Sequence, residues 1–428
     1  MAASQTVYLD VSRLSIGLFI HLDLGWMDHP FSLNSFKIRS QDQIDTLRSL
    51  GVRQVRCCPE KSDPDVWQTA CRLEDSLPGE AIPRPPAQDG GVDELAARRQ
   101  WLADQRASLQ RCERRFGEAA RVFRQIFRQA HAQPEGCREQ AAALIDGFVG
   151  EMLAEQECAI RLLSEKSGDD NTLHALNVTI ISLLLGRAAG LSADEMRELG
   201  VGALLHDIGK LELPDRLRWQ DEQGSLAERQ LYREHVAHGV ELGRRMRLSP
   251  TALLVIAQHH ELADGSGFPR QLANDRMSVP GRIVALVNRY DNACNPSNPA
   301  LALTPHEALS TLFVQMKTRF DKAILALFIR MMGVYPPGSA VQLSDGRYAL
   351  VASVNSSRPL KPWVVVHDPR FDKEEAPLLN LEQEPALSIK TSFKPLQLPK
   401  AVLDYLSPRK RLCYFFDRAR DLGEESGS

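Results

Sequence analysis

The chain has 428 residues, 43% of them apolar, which suits two or three domains with real cores and excludes a disordered chain, a fibre or a mini-protein. Lys and Arg total 52 against 55 Asp and Glu, a net charge of −3, so nothing draws the whole chain to a nucleic-acid polymer or an anionic membrane. The eight cysteines form no CxxC pair and read as reduced thiols. No stretch approaches the ~18 apolar residues of a membrane span, the N-terminus lacks the order of a signal peptide, and a cytoplasmic place is expected.

In chain order, residues 7–20 carry Leu14, Ile16, Leu18 and Ile20 at period two, and 51–58 repeat a short β-like pattern after a helical segment at 41–50. Residues 1–73 therefore read as a small mixed α/β regulatory module. The stretch 74–92 combines four prolines, four acids and three glycines, a composition that resists packing and marks a linker. A connecting helix is expected over 93–134: nine arginines lie between 93 and 130, and Leu102, Leu109, Phe116, Phe123 and Phe127 form an apolar stripe. That pattern reads as a solvated helix with one apolar stripe, or as a helix that transmits a signal or forms a homodimer. Residues 135–337 are helical in pattern, punctuated by Gly and Pro. After Pro336 and Pro337 the period changes to two, with an Asp345–Gly346 turn signal, so 338–400 read as a small β appendage and 401–428 as a frayed tail. The fold class is multi-domain and mainly α.

Six of the eleven histidines, at 174, 206, 235, 238, 259 and 260, fall within 87 consecutive positions. Any one alone reads as a hydrogen-bonded or surface residue. Together they point to a metal site, because neutral imidazole beside carboxylate suits divalent transition ions. His206 and Asp207 close an apolar helical run, and His259 and His260 close another. Adjacent helical side chains diverge by ~100°, so each pair can serve one site only at a helix end, and His259 and His260 would face two ions.

The order of His174, His206–Asp207, His235 and His259–His260, followed by DGSGFP and the helix RIVALVNRYD, resembles the HD-GYP branch of the HD metal-dependent phosphohydrolases. The likeness covers about 165–337. The β pattern and helix before it resemble a small uncharacterised domain that often precedes HD-GYP modules. The resemblance implies an all-α HD-type domain with two divalent ions, iron, manganese or similar, acting as a phosphodiesterase on the bacterial second messenger cyclic di-GMP, with a hydroxide between the cations as nucleophile. It implies His174, His206 and Asp207 around one ion, with Asp207 bridging to a second ion on His235, His259 and His260. Asn288 takes the family's last ligand position, and Lys210 that of its phosphate-contacting lysine. Asp291 is expected at the substrate. The loop Gly267, Phe268, Pro269 stands for the family's Gly-Tyr-Pro, an expected docking surface for a diguanylate cyclase (GGDEF) domain.

Three departures shape the alternatives. Asn288 offers one neutral oxygen where the family has a carboxylate. Asp170, one turn before His174, either restores that carboxylate or caps the helix. Between Arg289 and Lys317 there is no Arg or Lys, which leaves the phosphates of a cyclic dinucleotide to Lys210 and the ions. A receptor retaining a single ion and binding a cyclic dinucleotide or protein partner without efficient hydrolysis, or a hydrolase of another nucleotide or phosphoester, remain open beside the phosphodiesterase.

Overall fold

The computed structural model describes residues 7–21, 35–41, 43–44, 47, 54–64, 66–67, 91–155, 157–163, 170–218, 224–355, 358–373 and 376–418. Of the expected linker 74–92, residues 74–90 lie outside these residues and Gly91 and Val92 already belong to a helix; the end of the chain, 419–428, and much of the expected helix at 41–50 lie outside them too. Two compact units divide after Gly90.

In the first unit, β1 (Val7–Asp10), β2 (Phe19–His21), β3 (Ser35–Lys37) and β4 (Gln54–Cys57) form an antiparallel sheet in the order β1-β4-β2-β3. The period-two run at 7–20 is two strands rather than one. A 3₁₀ turn at Val11–Arg13 interrupts it, and Gly17, at φ +107°, turns the chain where a side chain is rarely tolerated. Leu14, Leu18 and Ile20 are buried with Leu9, Ile38 and Val55, whereas Ile16 is 49% exposed.

The second unit is built on one large core. The long helix α1 (Gly91–Gln129) turns back into α2 (Pro134–Ala154). Of its stripe, Phe116 and Phe123 are buried in the chain's own core, with Leu109 and Phe127 packed against it. The side chain of Leu102 lies outside the described residues. Helix α3 (Asp170–Ala188) is buried along nearly its whole length, as expected of a central helix that is apolar on all sides. Around it lie α4 (Ala193–Leu205), α5 (Leu226–Arg245), α6 (Pro250–Gln258), α7 (Val279–Cys294), α8 (Pro305–Val314) and α9 (Lys322–Met332). The starts of α4 and α5 are fixed by capping boxes, Ser192 with Glu195 and Ser225 with Glu228. Ser249 and Ser278 cap α6 and α7.

The expected β appendage draws in two strands from outside 338–400. Strands β6 (Ala340–Leu343), β7 (Tyr348–Asn355), β8 (Trp363–Val366), β9 (Leu378–Asn380) and β10 (Ile389–Phe393) share a sheet with β5 (Cys158–Leu162) and β11 (Tyr414–Arg418). β5 interrupts the stretch expected to be wholly helical, and β11 lies in the tail expected to fray, after a short helix at Lys400–Leu406. The reason is burial. Tyr414, Phe415 and Phe416 are 3% exposed or less. Phe148 meets both Phe415 and Phe416 edge-on at 5.6 and 5.8 Å, contacts that add about 0.5–1.5 kcal/mol each beyond the area they bury. Among the described residues, no helix is long and apolar enough to cross a membrane.

Candidate metal centre

Two helices stop at the site. α4 ends at Leu205 with His206 as its C-cap, and Asp207 then leads into a 3₁₀ turn over Ile208–Glu212. α6 ends at Gln258 with His259 as its C-cap and His260 next. Because the helix stops between the members of each pair, both side chains of a pair reach one place, and two C-terminal helix dipoles favour cations there. This corrects the expectation that His259 and His260 diverge to separate ions: their rings lie 4.3 Å apart and both join one donor group. His235 comes from the middle of α5, which the 3₁₀ turn approaches closely enough that a methyl on Gly209 would collide with the His235 carbonyl and the Gly239 amide. His174 sits in the first turns of α3.

The donor atoms form two groups that share Asp207: Asp207 with His235, His259 and His260, and Asp207 with His174 and His206, each within 4.8 Å. The carboxylate divides between them. Its Oδ1 lies 3.4 Å from His235 Nε2 and 3.6 Å from His259 Nε2, while its Oδ2 lies 3.4 Å from His206 Nε2 and 3.6 Å from His174 Nε2.

The tautomers follow from the other ring nitrogens. Nδ1 of His206, His235 and His259 faces the carbonyls of Ala203, Tyr232 and Ile256 at 2.7, 2.5 and 2.7 Å, and Nδ1 of His174 faces Asp291 Oδ2 at 2.6 Å. An acceptor at Nδ1 requires the proton there and leaves Nε2 as a bare lone pair. Those lone pairs meet head-on, His174 with His206 at 3.2 Å and His235 with His259 at 3.1 Å. Asp207 Oδ1 and His260 Nε2 are buried with no hydrogen-bond partner. Opposed lone pairs and orphaned buried acceptors are costly unless a cation satisfies them, so this donor set fits divalent metal.

The protonation states agree with that use. Burial lowers the His206 and His235 imidazoles to about 4 and about 3, and holds His260 well below its ordinary value. Burial alone would raise the Asp207 carboxyl, but the Lys210 ammonium and the His206 ring overrule it and hold it well below the usual range. Lys210 Nζ donates to Asp207 Oδ2 at 2.6 Å and sits 5.4 Å from the Tyr232 ring centroid. Burial would lower its pKa, but Asp207 raises it above the ordinary lysine value. A 3₁₀ turn, where residues i and i+3 eclipse, explains the spacing.

Other expected residues stand elsewhere. Asp291 is fully buried and spends its oxygens on His174, Asn177 and Asn295. Asn288 donates to the His259 carbonyl at 3.4 Å, and its oxygen accepts from Asn292 at 2.8 Å, so that oxygen is already engaged. Asp170 is the first residue of α3, and its side chain is outside the described set. His238 is apart, 3.9 Å from Glu234. The Gly267–Phe268–Pro269 loop turns inward rather than offering its ring for docking. Phe268 is 6% exposed and stacks on His260 at 4.4 Å. A Cβ on Gly267 would lie 2.6 Å from both Glu261 Cα and the His260 carbonyl; only Pro269 is exposed. Glu261, missed in the sequence, anchors this loop by accepting from the amides of Arg270 and Leu272 at 2.6 and 2.8 Å. Its place beside the paired histidines was the only signal.

A profile described as an HD domain matches residues 152–324, and one described as a domain of unknown function (DUF3391) matches 7–141. The chain is 28% identical over 364 residues to the cyclic di-GMP phosphodiesterase PA4108 of Pseudomonas aeruginosa, covering 84% of each. By these matches the chain carries an HD domain and is homologous to a cyclic di-GMP phosphodiesterase. A further relative by sequence, the cyclic di-GMP phosphodiesterase PdeB of Borreliella burgdorferi, is 24% identical over 46% of this chain, which spans about half of that protein (52%). Among solved structures, an HDGYP protein from Bdellovibrio bacteriovorus, Bd1817, aligns with 75% of this chain and 97% of its own at 15% identity and a TM-score of 0.41. The match to the DUF3391 profile runs past the division at Gly90 into α1 and α2, so the profile and the compact units divide the chain differently.

Proposed function

We propose that the protein is a metal-dependent phosphodiesterase that hydrolyses cyclic di-GMP in second-messenger signalling, with a centre for two divalent ions. The observation that carries this is the division of Asp207 between two histidine sets, one carboxylate oxygen to each. His174 and His206 would hold one ion and His235, His259 and His260 the other. When bound, two such ions polarise a phosphodiester and lower the pKa of a water at the site. The chain's own groups do the rest. The carbonyls behind three imidazoles and Asp291 behind the fourth keep Nε2 free of protons. Lys210, 15% exposed beside Asp207, is the cation available to a phosphate oxygen or a leaving oxygen. The ring of Phe268 and the loop anchored by Glu261 hold His260 in place. The ions are iron, manganese or similar, since imidazole with carboxylate suits several. The reading places the protein in the cytoplasm, where the scattered cysteines of the sequence would stay reduced.

Asn288 favours a second reading, a cyclic dinucleotide receptor with one retained ion, because its amide oxygen is neutral and already accepts from Asn292. Incubating protein purified without air or chelators with cyclic di-GMP and manganese or iron separates the two. Linear dinucleotide or GMP supports the enzyme; stoichiometric binding without product supports the receptor and overturns hydrolysis.

A further inference from the structure

One buried network touches the metal centre without contributing a ligand. Asp291 Oδ2 faces His174 Nδ1 at 2.6 Å. Its other oxygen accepts from Asn177 Nδ2 at 2.8 Å and from Asn295 Nδ2 at 3.0 Å. Neither amide is free to turn over. Asn177 accepts the Tyr414 amide at 2.9 Å and donates to the Leu412 carbonyl at 2.8 Å. Asn295 accepts the Leu412 amide at 2.8 Å and donates to the same carbonyl at 3.1 Å. The backbone of Leu412–Tyr414, where the C-terminal segment enters β11, thus fixes both side chains with their NH₂ groups aimed at Asp291.

From this geometry we infer that Asp291 is a positioning residue for His174, and that the C-terminal segment Leu412–Tyr414 sets it by locking the two amides that face it. The carboxylate must accept on both sides. It takes two donors from Asn177 and Asn295, and it takes the Nδ1 proton of His174, which leaves Nε2 bare toward His206 and Asp207. A carboxylate behind a metal-ligating imidazole fixes ring and tautomer and raises ligand basicity, and losing such a partner lowers metal affinity about 10–100-fold. The segment that looked like a loose tail is therefore part of the support of the metal centre. This inference rests on the metal-centre reading above.

Asp291→Asn tests it with little change of shape. The substituted amide keeps its oxygen toward the two locked donors, since the reverse would set NH₂ against NH₂, and so presents its own NH₂ to His174. The ring must then accept at Nδ1 and carry its proton on Nε2, where it cannot bind metal. In metal-free, ¹⁵N-histidine-labelled protein, His174 is expected as the Nδ1–H tautomer in the wild type and as Nε2–H in the variant. On titration with zinc, followed by elemental analysis, the variant is expected to bind the His174-side ion 10–100-fold more weakly and to keep the ion on His235, His259 and His260. Unchanged tautomer and unchanged affinity for both ions overturn the inference. Should Asp291→Asn not fold, Asn295→Ala, at a half-buried position, removes one of the two donors, and a His174 spectrum and zinc affinity identical to wild type overturn it equally. A wild type that binds no zinc refutes the metal centre instead, while the tautomer in the metal-free protein still decides the role of Asp291.

Discussion

Gly209→Ala puts the assembly of the site under direct strain. The 3₁₀ turn carrying Asp207 and Lys210 lies on α5 backbone to backbone. A Cβ at position 209 would meet the His235 carbonyl oxygen and the Gly239 amide nitrogen, with Gly239 Cα third at 2.8 Å; real Cβ atoms essentially never come within 3.0 Å of a neighbour. All three obstacles are backbone, so no rotamer relieves the clash and the two segments must part. Overpacking of this kind costs about 1–3 kcal/mol, and the parting falls on the 3.4 Å approach of Asp207 to His235, in a constellation that tolerates ~0.5 Å. The variant should therefore lose stability and also lose metal at the His235 group, read by urea titration and elemental analysis. Gly239→Ala is the control. Its Cβ first meets Ile256 Cγ2 at 3.0 Å, a side chain able to yield, and then Gly209 N at 3.4 Å, while alanine regains about 1 kcal/mol of helix propensity; it should be near neutral. Equal behaviour of the two variants, or a wild-type Gly209→Ala, would refute the argument.

Phe268→Ala removes the ring stacked on His260 and should cost about 3 kcal/mol with weaker metal retention at the His235 group; retention equal to wild type in a calorimetric zinc titration would mean that the stack does not hold His260. In metal-free protein, unfolded imidazoles take up protons below about pH 6.5, whereas folded His206 and His235 do so only near 4 and 3. The unfolded state thus binds more protons in that window, and stability should fall as pH drops from about 6.5 toward 4, by up to about 1.4 kcal/mol per unit for each ring; a flat urea midpoint from pH 7 to 5 contradicts this. Asn288→Asp adds an anionic oxygen near the His259 end of the site and should raise metal occupancy by elemental analysis, with no gain showing that this position does not reach an ion.

The ligand set was legible because imidazoles and a carboxylate cluster in sequence at the ends of apolar runs, and a helix end lets neighbours such as His206 and Asp207 converge. What the residues do behind the ligands was not. Asp291 belongs to the right helix, but its partners His174 and Asn177 lie more than a hundred positions earlier, and Leu412, which locks the two amides facing it, lies more than a hundred later. Tyr414–Phe416 stood between RKR and an acidic end, and charged flanks masked a five-residue apolar run that only long-range pairing with β5 makes a core strand. β5 itself is five residues long, too short for periodicity to tell from helix. Phe268 reads as a turn residue until the fold brings His260 beneath it.

Five imidazoles and one shared carboxylate are proposed to hold a pair of cations. Elemental analysis of anaerobically purified protein, with Asp207→Ala beside it, tests that most directly. Two equivalents of transition metal per chain, falling to none in the variant because it takes a ligand from both groups, is the predicted result. A well-folded wild type with no metal, or an Asp207→Ala variant that keeps both ions, would contradict it.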